Sequence, residues 1–124
     1  MPLLKSTTAP LFQLPGLTVN GLAAPSRGAT ETSVWRLTLS PGAPAVPHSV
    51  TREEIFVALS GQATATVNGE THLVAAGDTL VVPPGETFDL ANPGGEPFVA
   101  LALCPVGAQA VLPGEAPFVP PWAA

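Results

Sequence analysis

The sequence has little charge. Four of its 124 residues are Lys or Arg and nine are Asp or Glu, which gives a formal net charge of −5. Four cationic side chains neutralise too few phosphates for a nucleic-acid partner, so we exclude that class of protein. Hydrophobic residues make up 46% of the chain. A chain this apolar with so few charges is expected to fold around a core rather than remain disordered.

Cysteine and long apolar runs are scarce as well. The single cysteine, Cys104, cannot form a disulfide within the chain. The longest apolar run spans only residues 98–104, whereas a membrane helix needs about 20 such residues. The first 15 residues also lack the apolar core of a signal peptide. We therefore expect a cytoplasmic protein with no membrane partner.

Proline and glycine are abundant instead, with 16 and 12 residues. Proline costs a helix interior about 3 kcal/mol, so helices are disfavoured. Short apolar or alternating segments lie between the Pro/Gly clusters, which is typical of an all-β sandwich or barrel. In one of them Trp35, Leu37 and Leu39 share a face. The predicted strands are 11–14, 17–22, 32–39, 47–51, 54–59, 62–67, 71–75, 79–82, 87–90 and 98–104. We expect one all-β domain, an antiparallel barrel or jelly roll.

Two stretches of the chain carry chemistry-bearing residues at fixed spacings. The first stretch contains Gly42, His48, Glu54 and Gly61, and the second contains Gly77, Pro83, Gly85 and Asn92. These spacings resemble the two motif blocks of the cupin superfamily, over roughly residues 35–104. The resemblance implies a small single-domain cupin barrel (a double-stranded β-helix). Its motif-bearing core would cover about 32–104, with N-terminal strands in 1–31 and a Pro-rich tail in 105–124.

The sequence departs from the family pattern at two positions. The family places two further histidines where this chain has Val50 and Phe88. Three histidines and a glutamate hold a divalent transition metal in that family, and here His48 and Glu54 remain. A metal ion (Fe, Mn, Ni, Cu or Zn) would then need Cys104, His72 or a bound substrate to complete its ligands. The resemblance therefore implies a degenerate metal site in a more apolar pocket.

The two remaining polar residues allow three interpretations. His48 and Glu54 could ligate a metal, act as a catalytic acid/base pair without metal, or form a buried polar pair. Alternation along 54–59 places Glu54 and Phe56 on one strand face. Phe56 would then line the ligand pocket with Val50 and Phe88, unless all three only fill the barrel core.

The resulting functional prediction is a small-molecule-binding barrel with a mostly apolar pocket, and its ligand is unknown. The alternative is an enzyme: a metal-dependent, quercetinase-like dioxygenase or a metal-free isomerase or epimerase, each using His48 and Glu54. The chain has no tyrosine and few cations, which speaks against the sugar-nucleotide epimerases. Whether it is an enzyme stays open at this point. The resemblance also implies a homodimer, and the tail is expected to cap a barrel mouth or pack on a partner.

Overall fold

A computed structural model describes residues 3–124, and within them the fold is all-β. In chain order the strands are β1 (Leu11–Leu14), β2 (Leu17–Ala23), β3 (Thr32–Leu39), β4 (Ser49–Val50), β5 (Glu54–Ser60), β6 (Gln62–Val67), β7 (Glu70–Ala75), β8 (Thr79–Val82), β9 (Phe88–Ala91), β10 (Phe98–Pro105) and β11 (Ala110–Val111). Three single 3-10 turns complete the secondary structure of these residues, at Ser6–Thr8, Pro25–Arg27 and Pro121–Ala123. No helix in this range is long and apolar enough to cross a membrane.

The strands form two main antiparallel sheets. The larger has the order β1-β2-β3-β10-β5-β8 and the smaller has the order β7-β6-β9, while β4 pairs with β11. Buried side chains from both main sheets belong to a single hydrophobic cluster, so the sheets enclose a common interior. This arrangement confirms the predicted antiparallel all-β barrel.

The strands begin and end close to the Pro/Gly clusters of the sequence. Strands β1, β3, β6 and β8 have the predicted limits, and most of the others differ by one residue at an end. Strand β11 was not predicted, and among the predicted strands the largest difference is at 47–51, where only Ser49–Val50 forms a strand. Pro47 has no backbone N–H to give to a ladder, so pairing before Ser49 is reduced to one isolated bridge between His48 and Phe88.

The central strand β10 contributes small side chains to the interior. It lies between β3 and β5, and its residue Ala102 is opposite Trp35 on one side and Phe56 on the other. Ala100 and Ala102 face inward and are fully buried, yet each contributes only a methyl group. The outward positions of β10 are also apolar, which explains why residues 98–104 read as a continuous apolar run rather than an alternating one.

The C-terminal tail returns to the barrel and is bound to it. Ala110 pairs with Val50 and also forms a bridge with Phe118. Near the end, the Ser33 hydroxyl donates a hydrogen bond of 3.1 Å to the Ala123 carbonyl. The segment also contains a single 3-10 turn at Pro121–Ala123, and proline is tolerated in the first position of such a turn.

Two motif residues serve the fold itself. Asn92 is 1% exposed, and its side-chain amide donates to the carbonyls of Leu39 and Glu96 and accepts from the Gly94 N–H. Gly61 has a φ of +74°, and a Cβ at this position would overlap the Pro97 carbonyl oxygen. The motif therefore places residues that close turns as well as residues that face the interior.

We expect Gly61→Ala to destabilise the fold much more than Gly114→Ala. Both glycines have similar positive φ angles, but nothing lies within 4 Å of a Cβ at Gly114. The Gly114 variant should lose about 1 kcal/mol of unfolding free energy to backbone strain, and the Gly61 variant about 3 kcal/mol or more because of the added overlap. Urea titrations of both variants measure this difference. Equal losses would show that the contact with Pro97 does not matter.

Candidate functional site

A large cavity lies between the two sheets. It has a volume of about 640 Å³ and a mouth open to solvent. Five of the seven aromatic residues of the chain line it, and the remaining wall is almost entirely aliphatic or proline. The aromatic residues are Trp35, Phe56, Phe88, Phe118 and Trp122. Within the described residues, the ionisable side chains of this wall are those of His48 and Glu54.

Segments outside the motif blocks supply part of the wall. Leu14 and Leu17 enter it from the N-terminal strands, and Phe118 and the segment 120–122 enter it from the tail. Trp122 packs against Trp35 with a ring-centroid distance of 6.5 Å and against Phe12 at 6.0 Å. The tail thus covers one side of the barrel interior, one of the two arrangements expected from the sequence.

Glu54 is an acid held in an apolar wall. It lies at the start of β5, opposite Val82 of β8, and is 5% exposed. No hydrogen bond to its carboxyl group occurs within residues 3–124, and no cationic side chain there faces it across the cavity. Burial disfavours the charged form and raises the pKa of Glu54 to about 8. At neutral pH this group is therefore mostly a neutral carboxylic acid.

His48 is oriented by the backbone. Its Nδ1 lies 2.8 Å from the Val46 carbonyl oxygen, and because that oxygen can only accept, Nδ1 carries the proton. In the neutral ring Nε2 is then a free hydrogen-bond acceptor. The backbones of His48 and Phe88 exchange two hydrogen bonds, of 3.0 and 2.8 Å. These bonds place the imidazole against the Phe88 ring, at a centroid distance of 4.5 Å.

The structure brings all five site residues proposed from the sequence to one cavity. Val50 and Phe88 join His48 and Glu54 in its wall, and the Phe56 ring lies 5.7 Å from that of Phe88. Val50, Phe56 and Phe88 belong to the hydrophobic core as well as to the cavity wall, so lining a pocket and filling the core do not exclude each other. The aromatic residues of the tail were not among the proposed site residues, although Phe118 and Trp122 are conspicuous in a Pro-rich segment.

Cys104 and His72 do not complete a metal site. His72 lies on the outer side of β7 with about half of its side chain exposed, 3.9 Å from Glu70. Cys104 is buried beside the cavity rather than in its wall. Burial, and secondarily the charge of Glu54, raise the pKa of the Cys104 thiol to about 12, so it stays protonated.

The donor set does not fit the metal that the resembled family holds. Val50 and Phe88 occupy the places of two ligands and offer no donor atom, and the Phe88 ring packs on the imidazole. Among residues 3–124 no three His, Cys, Asp or Glu side chains are grouped closely enough to bind a metal ion. One imidazole and one neutral carboxylic acid are a weak pair of ligands for a transition metal.

Comparisons with known proteins agree with the all-β fold. Residues 35–104, more than half of the chain, match the family described as Cupin domain. Among solved structures, the polyketide cyclase RemF from Streptomyces resistomycificus is similar with a TM-score of 0.78 and 20% identity, over 94% of this chain and 87% of that one. An RmlC-like cupin from Shewanella frigidimarina has a TM-score of 0.71 and 17% identity, over 82% and 86% of the two chains.

A third solved structure, a predicted oxalate decarboxylase from Thermotoga maritima, has a TM-score of 0.69 and 19% identity, over 90% of this chain and 99% of that one. At these identities the likeness concerns the fold. No curated protein sequence matches the chain.

We expect the buried acid to give stability a distinct pH dependence. An unfolded chain loses the Glu54 proton near pH 4.5, whereas the folded chain keeps it until about pH 8. This contribution is therefore fully present below pH 4.5 and is lost as the pH rises to 8. Each pH unit in that interval lowers the unfolding free energy by about 1.4 kcal/mol at most.

Glu54→Gln should remove this pH dependence of the unfolding free energy. Glu53→Gln, at the exposed neighbouring residue, is the control. Urea titrations between pH 4 and 9 measure the unfolding free energy of each protein. Parallel curves for the wild type and Glu54→Gln would contradict a buried, protonated Glu54.

Proposed function

The chain belongs to the cupin domain family, and on that premise we propose that it binds a small, mostly apolar molecule in the cavity between its sheets. The observation that carries this proposal is the wall itself, which is apolar except for two polar side chains without side-chain partners. Ligand pockets typically have volumes of roughly 300–1,000 Å³, apolar walls and a few polar groups that orient the ligand. The 640 Å³ cavity fits that description.

The composition of the wall supports an apolar ligand over a small anion. Oxalate, named for one neighbour, carries two negative charges at neutral pH. No Lys or Arg of the described residues lines this cavity, so such an ion would lose its water without gaining a counter-charge. A polyketide, named for another neighbour, has the larger and more apolar skeleton that this wall can cover.

Binding can be tested with Nile red, a neutral apolar dye. Both tryptophans of the chain line the cavity, so their fluorescence should change when the dye enters. Ala110→Phe adds a ring to the wall and should weaken binding about tenfold or more, equivalent to ~1.4 kcal/mol. Ala116→Phe, in the exposed loop after β11, is the matched control and should bind like the wild type.

Equal affinities for the two variants would place the dye outside the cavity and contradict the proposal. An absence of dye binding to the wild type would contradict it as well.

The state of Glu54 favours a second candidate function, proton transfer without a metal. A carboxyl group with a pKa near 8 is a stronger base than an ordinary glutamate and is partly ionised at neutral pH. In an apolar cavity its ionised form could take a proton from carbon next to a ketone and return it elsewhere. His48 Nε2 offers a second proton-accepting atom in the same wall.

We expect the protein to accelerate exchange of the α-protons of 2-tetralone, a neutral bicyclic ketone, for deuterium from D₂O. Glu54→Gln should lower the accelerated rate about 100-fold, because the amide cannot act as a base. The rate should rise with pH and level off above about pH 8, as Glu54 becomes ionised. Proton NMR follows the exchange, and Glu53→Gln is the control. Unchanged exchange in Glu54→Gln would exclude this role and leave the binding function intact.

A further inference from the structure

The cationic side chains of the chain are all outside the cavity wall. Lys5, Arg36 and Arg52 are exposed, and Arg36 lies on the outer face of β3. Arg27 uses its guanidinium to hold the Gly21 and Leu22 carbonyls and the Thr8 hydroxyl. A carboxylate or phosphate in the cavity would therefore meet an apolar wall and a buried acid, without a permanent positive charge to stabilise it.

The two polar side chains of the wall offer both hydrogen-bond donors and hydrogen-bond acceptors to a ligand. His48 donates its Nδ1–H to the Val46 carbonyl, so Nε2 is the acceptor atom of the ring in its neutral form. Glu54 is buried without a cationic partner, which favours its protonated form, with one O–H donor and one carbonyl acceptor. A hydroxyl group both donates and accepts, so it can satisfy either side chain. A carbonyl oxygen can only accept and leaves Nε2 without a partner.

The aromatic side chains around these polar atoms favour a ligand with a flat ring. The Phe88 ring packs against two other rings: its centroid lies 4.5 Å from that of His48 and 5.7 Å from that of Phe56. Trp35 and Trp122 add two larger aromatic surfaces to the same wall. Aromatic pairs in tilted or edge-to-face contact are more favourable than their buried area alone predicts. A ring system that reaches His48 would contact Phe88 at once, because the two rings pack together.

We propose that the ligand of this cavity is an uncharged aromatic ring system that carries a hydroxyl group. This hydroxyl would form a hydrogen bond with His48 Nε2 or with the Glu54 carboxyl group. The inference rests on the proposed binding function and narrows it from an apolar molecule to the phenol class. It follows from the positions of charge and of hydrogen-bonding atoms in the wall, together with the aromatic side chains around them.

Four probes with one skeleton test this inference at pH 7. They are naphthalene, 2-naphthol, 2-naphthoate and 2-naphthylmethylamine, which differ in having no polar group, a hydroxyl, a negative charge or a positive charge. Displacement of Nile red measures the Kd of each. We expect 2-naphthol to bind about fivefold or more tightly than naphthalene, as one net hydrogen bond provides. Both charged probes should bind more weakly than 2-naphthol.

Two variants then show which side chain forms the hydrogen bond with the hydroxyl group of 2-naphthol. His48→Phe keeps an aromatic ring but removes the acceptor, and Glu54→Leu removes the carboxyl group. At least one should bind 2-naphthol no better than naphthalene while still binding naphthalene. His72→Phe changes the exposed histidine and should keep the wild-type preference. Should either cavity variant fail to fold, the ranking of the four probes on the wild type still decides the question.

The outcomes separate this inference from the function on which it rests. If naphthalene displaces Nile red as well as 2-naphthol does, the binding function stands and the phenol class is wrong. Tighter binding of 2-naphthoate or 2-naphthylmethylamine overturns the class in favour of an anion or a cation. If no probe binds and Nile red does not bind either, the proposed function fails, and this inference fails with it.

Discussion

A carboxyl group buried in an apolar cavity is the constraint on which the rest of this site depends. Glu54 is 5% exposed, and within residues 3–124 no hydrogen bond or cation compensates for its burial. Such a group avoids the cost of desolvating a charge by keeping its proton. The same wall bears on which ligands the cavity can accept, because an anion there would meet no Lys or Arg side chain.

The inner face of the central strand β10 carries small side chains where the fold is most enclosed. Ala100 and Ala102 occupy the inner face of the central strand, between the large residues of β3 and β5. Both are fully buried, and their side chains are single methyl groups. The tail then covers this interior, bound through the hydrogen bond between Ser33 and Ala123. Several side chains, Phe56 and Phe88 among them, therefore belong both to the hydrophobic core and to the cavity wall.

The sequence predicts the strands well because proline and glycine mark where each one ends. Alternation along 54–59 was also sufficient to place Glu54 and Phe56 on one face. A mostly apolar pocket and a capping tail were expected, but the volume of the cavity and the contacts of the tail were beyond such reasoning. The contact of Ser33 with Ala123 joins residues 90 positions apart, and no local pattern encodes it. The volume between the sheets likewise depends on packing across the barrel, which residue spacing alone does not define.

The two substitutions in the motif change what the remaining motif residues can do. In the resembled family a divalent cation would offset the charge of the glutamate and hold the imidazole. With Val50 and Phe88 in the wall, the donors are too few for that cation, and the added apolar surface opposes ionisation of Glu54. His48 is then oriented by the Val46 carbonyl and the Phe88 ring instead of by a metal. The chemistry of a residue at a motif position thus depends on its neighbours, and here those neighbours support the proposal of an uncharged ligand.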